Sequence, residues 1–169
     1  LGAPRAIVTV AKGFDAGADG TAIQLLPDTI AEFTSAPVVA VGGPSKANEV
    51  AHGQPTSVVF GSLDARALAL TQSCFATPSY RIHPTDDLAG LEAVAAMKNA
   101  YAIALGIPDG FGLRTGRPHH NVRAALYPIA VAEMSALARL FGGHAETAVG
   151  LAGAGDLLVT ITSGRNRLL

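Results

Sequence analysis

The sequence has one cysteine, Cys74, and no tryptophan. A single thiol excludes an internal disulfide and a cysteine-built zinc cluster, and it fits a reducing cytoplasm. Charge of either sign is sparse: 12 Lys+Arg against 13 Asp+Glu leave a net charge of −1. No basic field is available to hold nucleic acid or an anionic membrane surface. A basic stretch followed by an apolar run, the mark of a secretory leader, is missing. Long uncharged apolar runs are missing as well. Lys98 and Asn99 interrupt the best of them, so no segment is expected to cross a bilayer. The chain begins at Leu1 rather than methionine, runs at once into a strand-like stretch, and ends at "RNRLL" without a helix stop. Both ends lead us to expect part of a longer polypeptide.

What the sequence does have is apolar material: 49% of its 169 residues are hydrophobic, enough for a substantial core. Up to residue 85, short β-branched runs alternate with helical patterns. "AIVTVA" (6–11), "PVVAVG" (37–42), "TSVVFG" (56–61) and "SYRIHP" (79–84) read as strands. Stretches 21–34, 45–52 and 63–75 read as helices, with Ser45 and Ser62 as N-cap candidates for the last two. Such alternation implies an α/β layer whose sheet is parallel at least in part. Beyond residue 85 no strand pattern stands out. A helix capped by Asp86 or Asp87 is expected to reach about Gly106, followed by a Gly/Pro-rich loop, a second helix over 121–141 and short glycine-broken helices. The reading divides the chain into an α/β part, residues 1–85, and an all-helical part, residues 86–169.

Between Ala93 and Ile107 the only charge is Lys98, on a helix apolar on every side. In its bland reading the amine snorkels to water along an apolar stem. In its functional reading a desolvated amine with a depressed pKa exchanges protons near neutrality. It then needs a counter-charge from elsewhere in the chain, since Glu92 lies almost two turns away. Asp156, between glycines and an apolar run, could supply that charge or could cap a helix after Gly155. Thr160, four residues on, shares its face. Lys12 follows a strand at the edge where open α/β sheets take ligands, although a solvated loop lysine reads the same way. Gly43, Pro44 and Ser45 end one strand and begin a helix, where backbone N–H groups can hold an anion or simply form a turn. Thr162, Ser163, Arg165 and Asn166 gather donors around Gly164, suited to a phosphate or to a solvated basic turn. His119 and His120 are adjacent, share no helical face and have no third ligand, so no metal site is expected.

In order and spacing, "AKGFD", "GGPSKANEVAHGQPTSVVFGS", "HPTDDLAGLEAVAAMKNAYAIALGIPDG", "HNVRAAL", "AEM" and "GLAGAGDLLVTITSGRNR" resemble the glycerol-3-phosphate dehydrogenases that use NAD or NADP. The resemblance covers essentially the whole chain. It implies a Rossmann-type α/β part, a partial and mainly parallel sheet with flanking helices, followed by an all-α substrate domain. It implies that Lys98 is the general acid protonating the carbonyl oxygen of dihydroxyacetone phosphate as hydride arrives, and the base in the reverse direction from glycerol 3-phosphate. Lys12, Asn99, Asp156 and Thr160 would surround the reacting carbonyl and hydroxyl groups. Arg165 and Asn166 would bind the substrate phosphate, with Arg165 and Lys12 also near the cofactor. Gly43, Ser45 and Ala47 would line the cleft between substrate and nicotinamide. A small-molecule substrate, no nucleic acid, no membrane, no metal and a cytoplasmic homodimer complete the expectation. A phosphate-binding GxGxxG turn would precede Leu1, and without it the chain alone should be inactive. The sequence departs from the family pattern at Gly164, where serine is common, in a short Asp156–Arg165 stretch and in a long "RTGRPHHN" connection. These departures bear on substrate preference. Two other classes fit the same residues. One is a lysine-dependent dehydrogenase of another hydroxy acid or sugar phosphate, distinguished by substrate preference. The other is a non-catalytic anion-binding module, in which Lys98, Asp156 and Arg165 would point to different places.

Overall fold

A computed structural model describes residues 4–17 and 20–163. Strand β1 (Ile7–Thr9) leads into a small antiparallel hairpin, β2 (Phe14–Asp15) with β3 (Gln24–Leu25), and then α1 (Leu26–Ala31). Next come β4 (Val38–Gly42), α2 (Ala47–Ala51), β5 (Thr56–Gly61), α3 (Ala65–Phe75) and β6 (Tyr80–Thr85). The main sheet runs β1-β4-β5-β6, with β1 parallel to β4, β4 antiparallel to β5, and β5 parallel to β6. Residues alternate across β4, so its side chains serve two layers. Ala40 joins Leu91, Leu105, Met134 and Leu157 on the side of the later helices, while Val39 and Val41 join Val58, Phe60, Leu68 and Ile82 on the side of α3.

Neither serine expected to cap a helix does so. Helix α2 starts after Lys46, which offers no side-chain acceptor. Asp64 caps α3, its carboxylate accepting from the N–H groups of Arg66 and Ala67 at 2.8 and 2.9 Å. The buried Ser62 hydroxyl instead donates to the Val38 carbonyl at 2.6 Å and so ties β4 to the end of β5. A longer-range bond wins over the local cap.

Helix α4 (Leu88–Thr115) is capped by Asp87 and runs for 28 residues, well past the expected end at Gly106. Pro108 removes a backbone donor and crowds the preceding turn, a cost on the order of 3 kcal/mol in a helix interior. Packing along α5 (His120–Leu140) overrides that local signal, and Arg123 on α5 donates to Asp109 at 2.8 Å, one residue beyond the proline. By length and composition alone α4 is long and apolar enough to cross a membrane, a test that buried core helices also pass; 44% of the relevant window is buried within this fold. After α5 come α6 (Glu146–Val149), a π-helical turn (Leu151–Gly155) and α7 (Asp156–Ser163). Asp87 also locks this corner. Besides the Gly90 N–H at 3.0 Å, it accepts the His144 N–H at 3.1 Å and the Thr147 hydroxyl.

Candidate active site

Lys12 follows β1 and Gly43 follows β4; the two strands are parallel, so both residues lie at the same sheet edge, the one where open α/β sheets take ligands. Phe14, two residues past Lys12, stacks on Phe141 beyond the end of α5 with ring centroids 5.1 Å apart, fastening the Lys12 loop to the helical layer. Gly43 has φ +102°, and a Cβ there would lie 3.3 Å from the Val58 backbone, so only glycine fits without strain. The next residue, Pro44, comes within 3.6 Å of where a Gly155 Cβ would stand, which sets the Gly43–Pro44–Ser45 turn beside the start of α7.

Asp156 opens α7 and is 2% exposed. Lys98 Nζ donates to its Oδ1, and Lys12 Nζ donates to its Oδ2 at 2.6 Å. The Lys98 side chain is 12% exposed and that of Lys12 is 22%, so neither amine extends into bulk water. Two ammonium groups thus share one carboxylate, one on each oxygen. Burial pulls the Lys98 amine down from 10.5 to about 8, and repulsion from Lys12 acts in the same direction. Asp156 opposes both through its hydrogen bond and its charge. An amine so placed can give up and regain a proton near neutrality.

Thr160 lies one turn along from Asp156, but its hydroxyl donates to the Asp156 backbone carbonyl at 2.7 Å rather than to the carboxylate. Asn99, directly after Lys98, is exposed. Ser45 and Ala47 are exposed and line a cavity of about 770 Å³ with Val8, Val10, Val41 and Tyr80. That cavity lies on the α3 side of the sheet, and none of Lys12, Lys98 or Asp156 forms its wall. Arg165 and Asn166 lie outside the described residues. Among the described residues, no group of three His, Cys, Asp or Glu is arranged to hold a metal ion.

Glu92 is the residue that sequence reasoning passed over, as merely too distant from Lys98. It is 0% exposed, and neither carboxylate oxygen has a hydrogen-bond partner. Burial raises its pKa from 4.5 to about 7, and the nearby Lys12 ammonium pulls the other way. The signal was available: Glu92 stands in "LAGLEAVAAM", as isolated among apolar residues as Lys98 is.

Residues 2–68 match the family profile described as "NAD-dependent glycerol-3-phosphate dehydrogenase N-terminus", and residues 87–169 match the one described as its C-terminus. The chain belongs to this dehydrogenase family. Glycerol-3-phosphate dehydrogenase (NAD(P)+) of Methylobacterium radiotolerans is 40% identical over 165 residues, covering 95% of this chain and 46% of that protein. The protein of the same name from Trichlorobacter lovleyi is 40% identical over 166 residues, covering 98% and 48%. The crystal structure of glycerol-3-phosphate dehydrogenase from Coxiella burnetii superposes with a TM-score of 0.84 at 36% identity, covering 95% of this chain and 47% of its own. The Dunaliella salina structure, at 22% identity and a TM-score of 0.86, shares the fold. This member of the glycerol-3-phosphate dehydrogenases therefore spans about half the length of the relatives it matches. Its mixed sheet and helical second part agree with the Rossmann-type architecture expected from sequence.

Proposed function

We propose that this chain supplies the substrate-binding and proton-transfer part of an NAD(P)-dependent glycerol-3-phosphate dehydrogenase that interconverts dihydroxyacetone phosphate and glycerol 3-phosphate. One observation carries the reading: Asp156, nearly sealed from water, holds the amines of Lys98 and Lys12 together at the ligand-binding edge of the sheet. The residues present fit a dinucleotide there. Gly43 allows the tight turn that ends β4, Ser45 and Ala47 are exposed just beyond it, and Lys12 adds positive charge at the same edge. When bound, NAD(P)H supplies the hydride to the carbonyl carbon. Lys98 donates its proton to the carbonyl oxygen, and in the oxidative direction it accepts the proton of the hydroxyl. Asp156 fixes the direction of the Lys98 amine. Lys12, held by the other carboxylate oxygen, stabilises negative charge developing on the substrate oxygen. Asn99 and Thr160 complete the polar surround. Gly43 and Ser45 contact the substrate, while Ala47 with Lys12 and Arg165 contacts the cofactor. Arg165 and Asn166 take the substrate phosphate, for which the planar guanidinium is suited.

The same reading places a domain boundary between Thr85 and Asp86. Support comes from the end of β6 at Thr85 and from the separate profiles that match on either side. A cytoplasmic homodimer belongs to this reading as well, by family likeness. The test uses the full-length polypeptide. Dihydroxyacetone phosphate should stimulate oxidation of NADH or NADPH above other small carbonyls. Lys98→Ala should lower kcat by about 10²–10⁴-fold with an unchanged circular dichroism spectrum. Near-normal turnover in folded Lys98→Ala would overturn the assignment.

A further inference from the structure

We propose that Glu92 is a positioning residue for the proton carried by Lys98: sealed in the core with both carboxylate oxygens unbonded, it sets, through Lys12, the charge against which that proton is released. The inference rests on the role given to Lys98 above.

The charges at the site do not balance. Lys12, Lys98 and Asp156 place two ammonium groups on one carboxylate in a largely dry site. A buried excess of one sign is costly, and a second carboxylate close by would balance it. Glu92 is that carboxylate. Among the described residues, the buried side-chain polar atoms without a hydrogen-bond partner are Thr29 Oγ1 and the two oxygens of Glu92, so Glu92 is the one ionisable group in that state. A carboxyl left so is expensive when charged and calls for a reason.

Glu92 precedes Lys98 by six positions on α4, hence by about 9 Å of rise and roughly a third of a turn of azimuth. The two do not touch, and the link between them is Lys12. Its amine attracts charge on Glu92 and repels the proton of Lys98. The other charged groups on neighbouring elements are engaged or face solvent, as do Arg139 on α5 and Glu146 on α6. Asp156 on α7 is held by the two lysines, and Asp87 by Gly90, His144 and Thr147. On α5, Arg123 pairs with Asp109 and Glu133 lies against Tyr101. Strands β3 and β4 and the π-helical turn contain no charged residue. While Glu92 is neutral, the cluster keeps its excess positive charge and Lys98 gives up its proton more readily. Once Glu92 ionises, the charges balance and Lys98 holds the proton. Burial brings Glu92 to about 7 and Lys98 to about 8, so both events fall in one neutral window.

The decisive variant is Glu92→Gln in the full-length polypeptide. Glutamine keeps the shape and cannot ionise. The alkaline fall of kcat/KM for ketone reduction, which follows loss of the Lys98 proton, should move roughly half a unit to one unit to lower pH. The KM for the ketone under mildly acidic conditions should not change. A limb that stays where it is in the wild type overturns the proposal. If Glu92→Gln does not fold, carboxyl-carbon NMR of glutamate-labelled wild-type protein decides instead. A glutamate titrating near neutrality, displaced in Lys12→Met, supports the proposal; none titrating outside the ordinary carboxylate range overturns it. Lys98→Ala separates the two levels of inference. Retained turnover in that variant removes the role of Lys98, and the present proposal with it. An inactive Lys98→Ala beside an unmoved Glu92→Gln profile removes the role of Glu92 alone.

Discussion

Burial displaces Glu92 and Lys98 in opposite directions, and the displacement governs stability as well as chemistry. Glu92 holds its proton more tightly when folded, at about 7 against 4.5, so its contribution to stability is complete below 4.5 and is lost as pH rises through 7. Lys98 holds its proton less tightly when folded, at about 8 against 10.5, so its contribution is complete above 10.5 and is lost as pH falls through 8. Their joint support is therefore weakest between about 7 and 8, where the proton chemistry is best served. Urea unfolding of wild type and Glu92→Gln across mildly acidic to neutral pH should show the variant with the flatter profile, by at most about 3 kcal/mol. Parallel profiles would mean that folding does not raise the Glu92 pKa. Lys98 was legible in the sequence because it is the sole charge between Ala93 and Ile107, and the same test, applied to Glu92 among its apolar neighbours, would have found it too. The meeting of Lys12 with Asp156 was not legible by physics alone, since no local pattern specifies a contact across 144 positions.

At the scale of elements, Asp87 does more than cap α4. It satisfies donors from the corner between α5 and α6, and so fixes the helix that carries both Glu92 and Lys98. Asp87→Ala removes a cap and strands a partly buried N–H, together about 2–4 kcal/mol. Thermal unfolding should show the loss, and Asp87→Asn should recover part of it. An unchanged midpoint in Asp87→Ala would deny the clamp its role. Strands β4, β5 and β6 were readable from β-branched runs because tertiary burial there agrees with local preference. The end of α4 was not, because Gly106, Pro108 and Gly110 signal a stop that packing against α5 overrules. Hairpin β2–β3 escaped notice for a plainer reason: strands of two residues show no period to read.

Across the whole molecule, apolar side chains remain uncovered in register on two helices. Ile103, Ile107 and Phe111 follow one another along α4, as do Val122, Leu126 and Ile129 along α5. The 169-residue chain expressed on its own should bind a hydrophobic dye and self-associate, since contiguous apolar surface of this kind drives association. Ile107→Glu combined with Leu126→Glu should lower both signals at constant helicity. Equal dye binding by the double variant would show that the stripes are not what the dye reports. The shared carboxylate has a consequence of another kind. Asp156 lies 144 positions after Lys12 and 58 after Lys98, so a ribosome delivers both cations long before the anion that quiets them. A nascent chain halted short of that aspartate holds two like charges beside a core that still lacks Leu157 and Ile161, and it stays open to proteases. Arrival of α7, and not merely completion of the sheet, is what quiets the two cations.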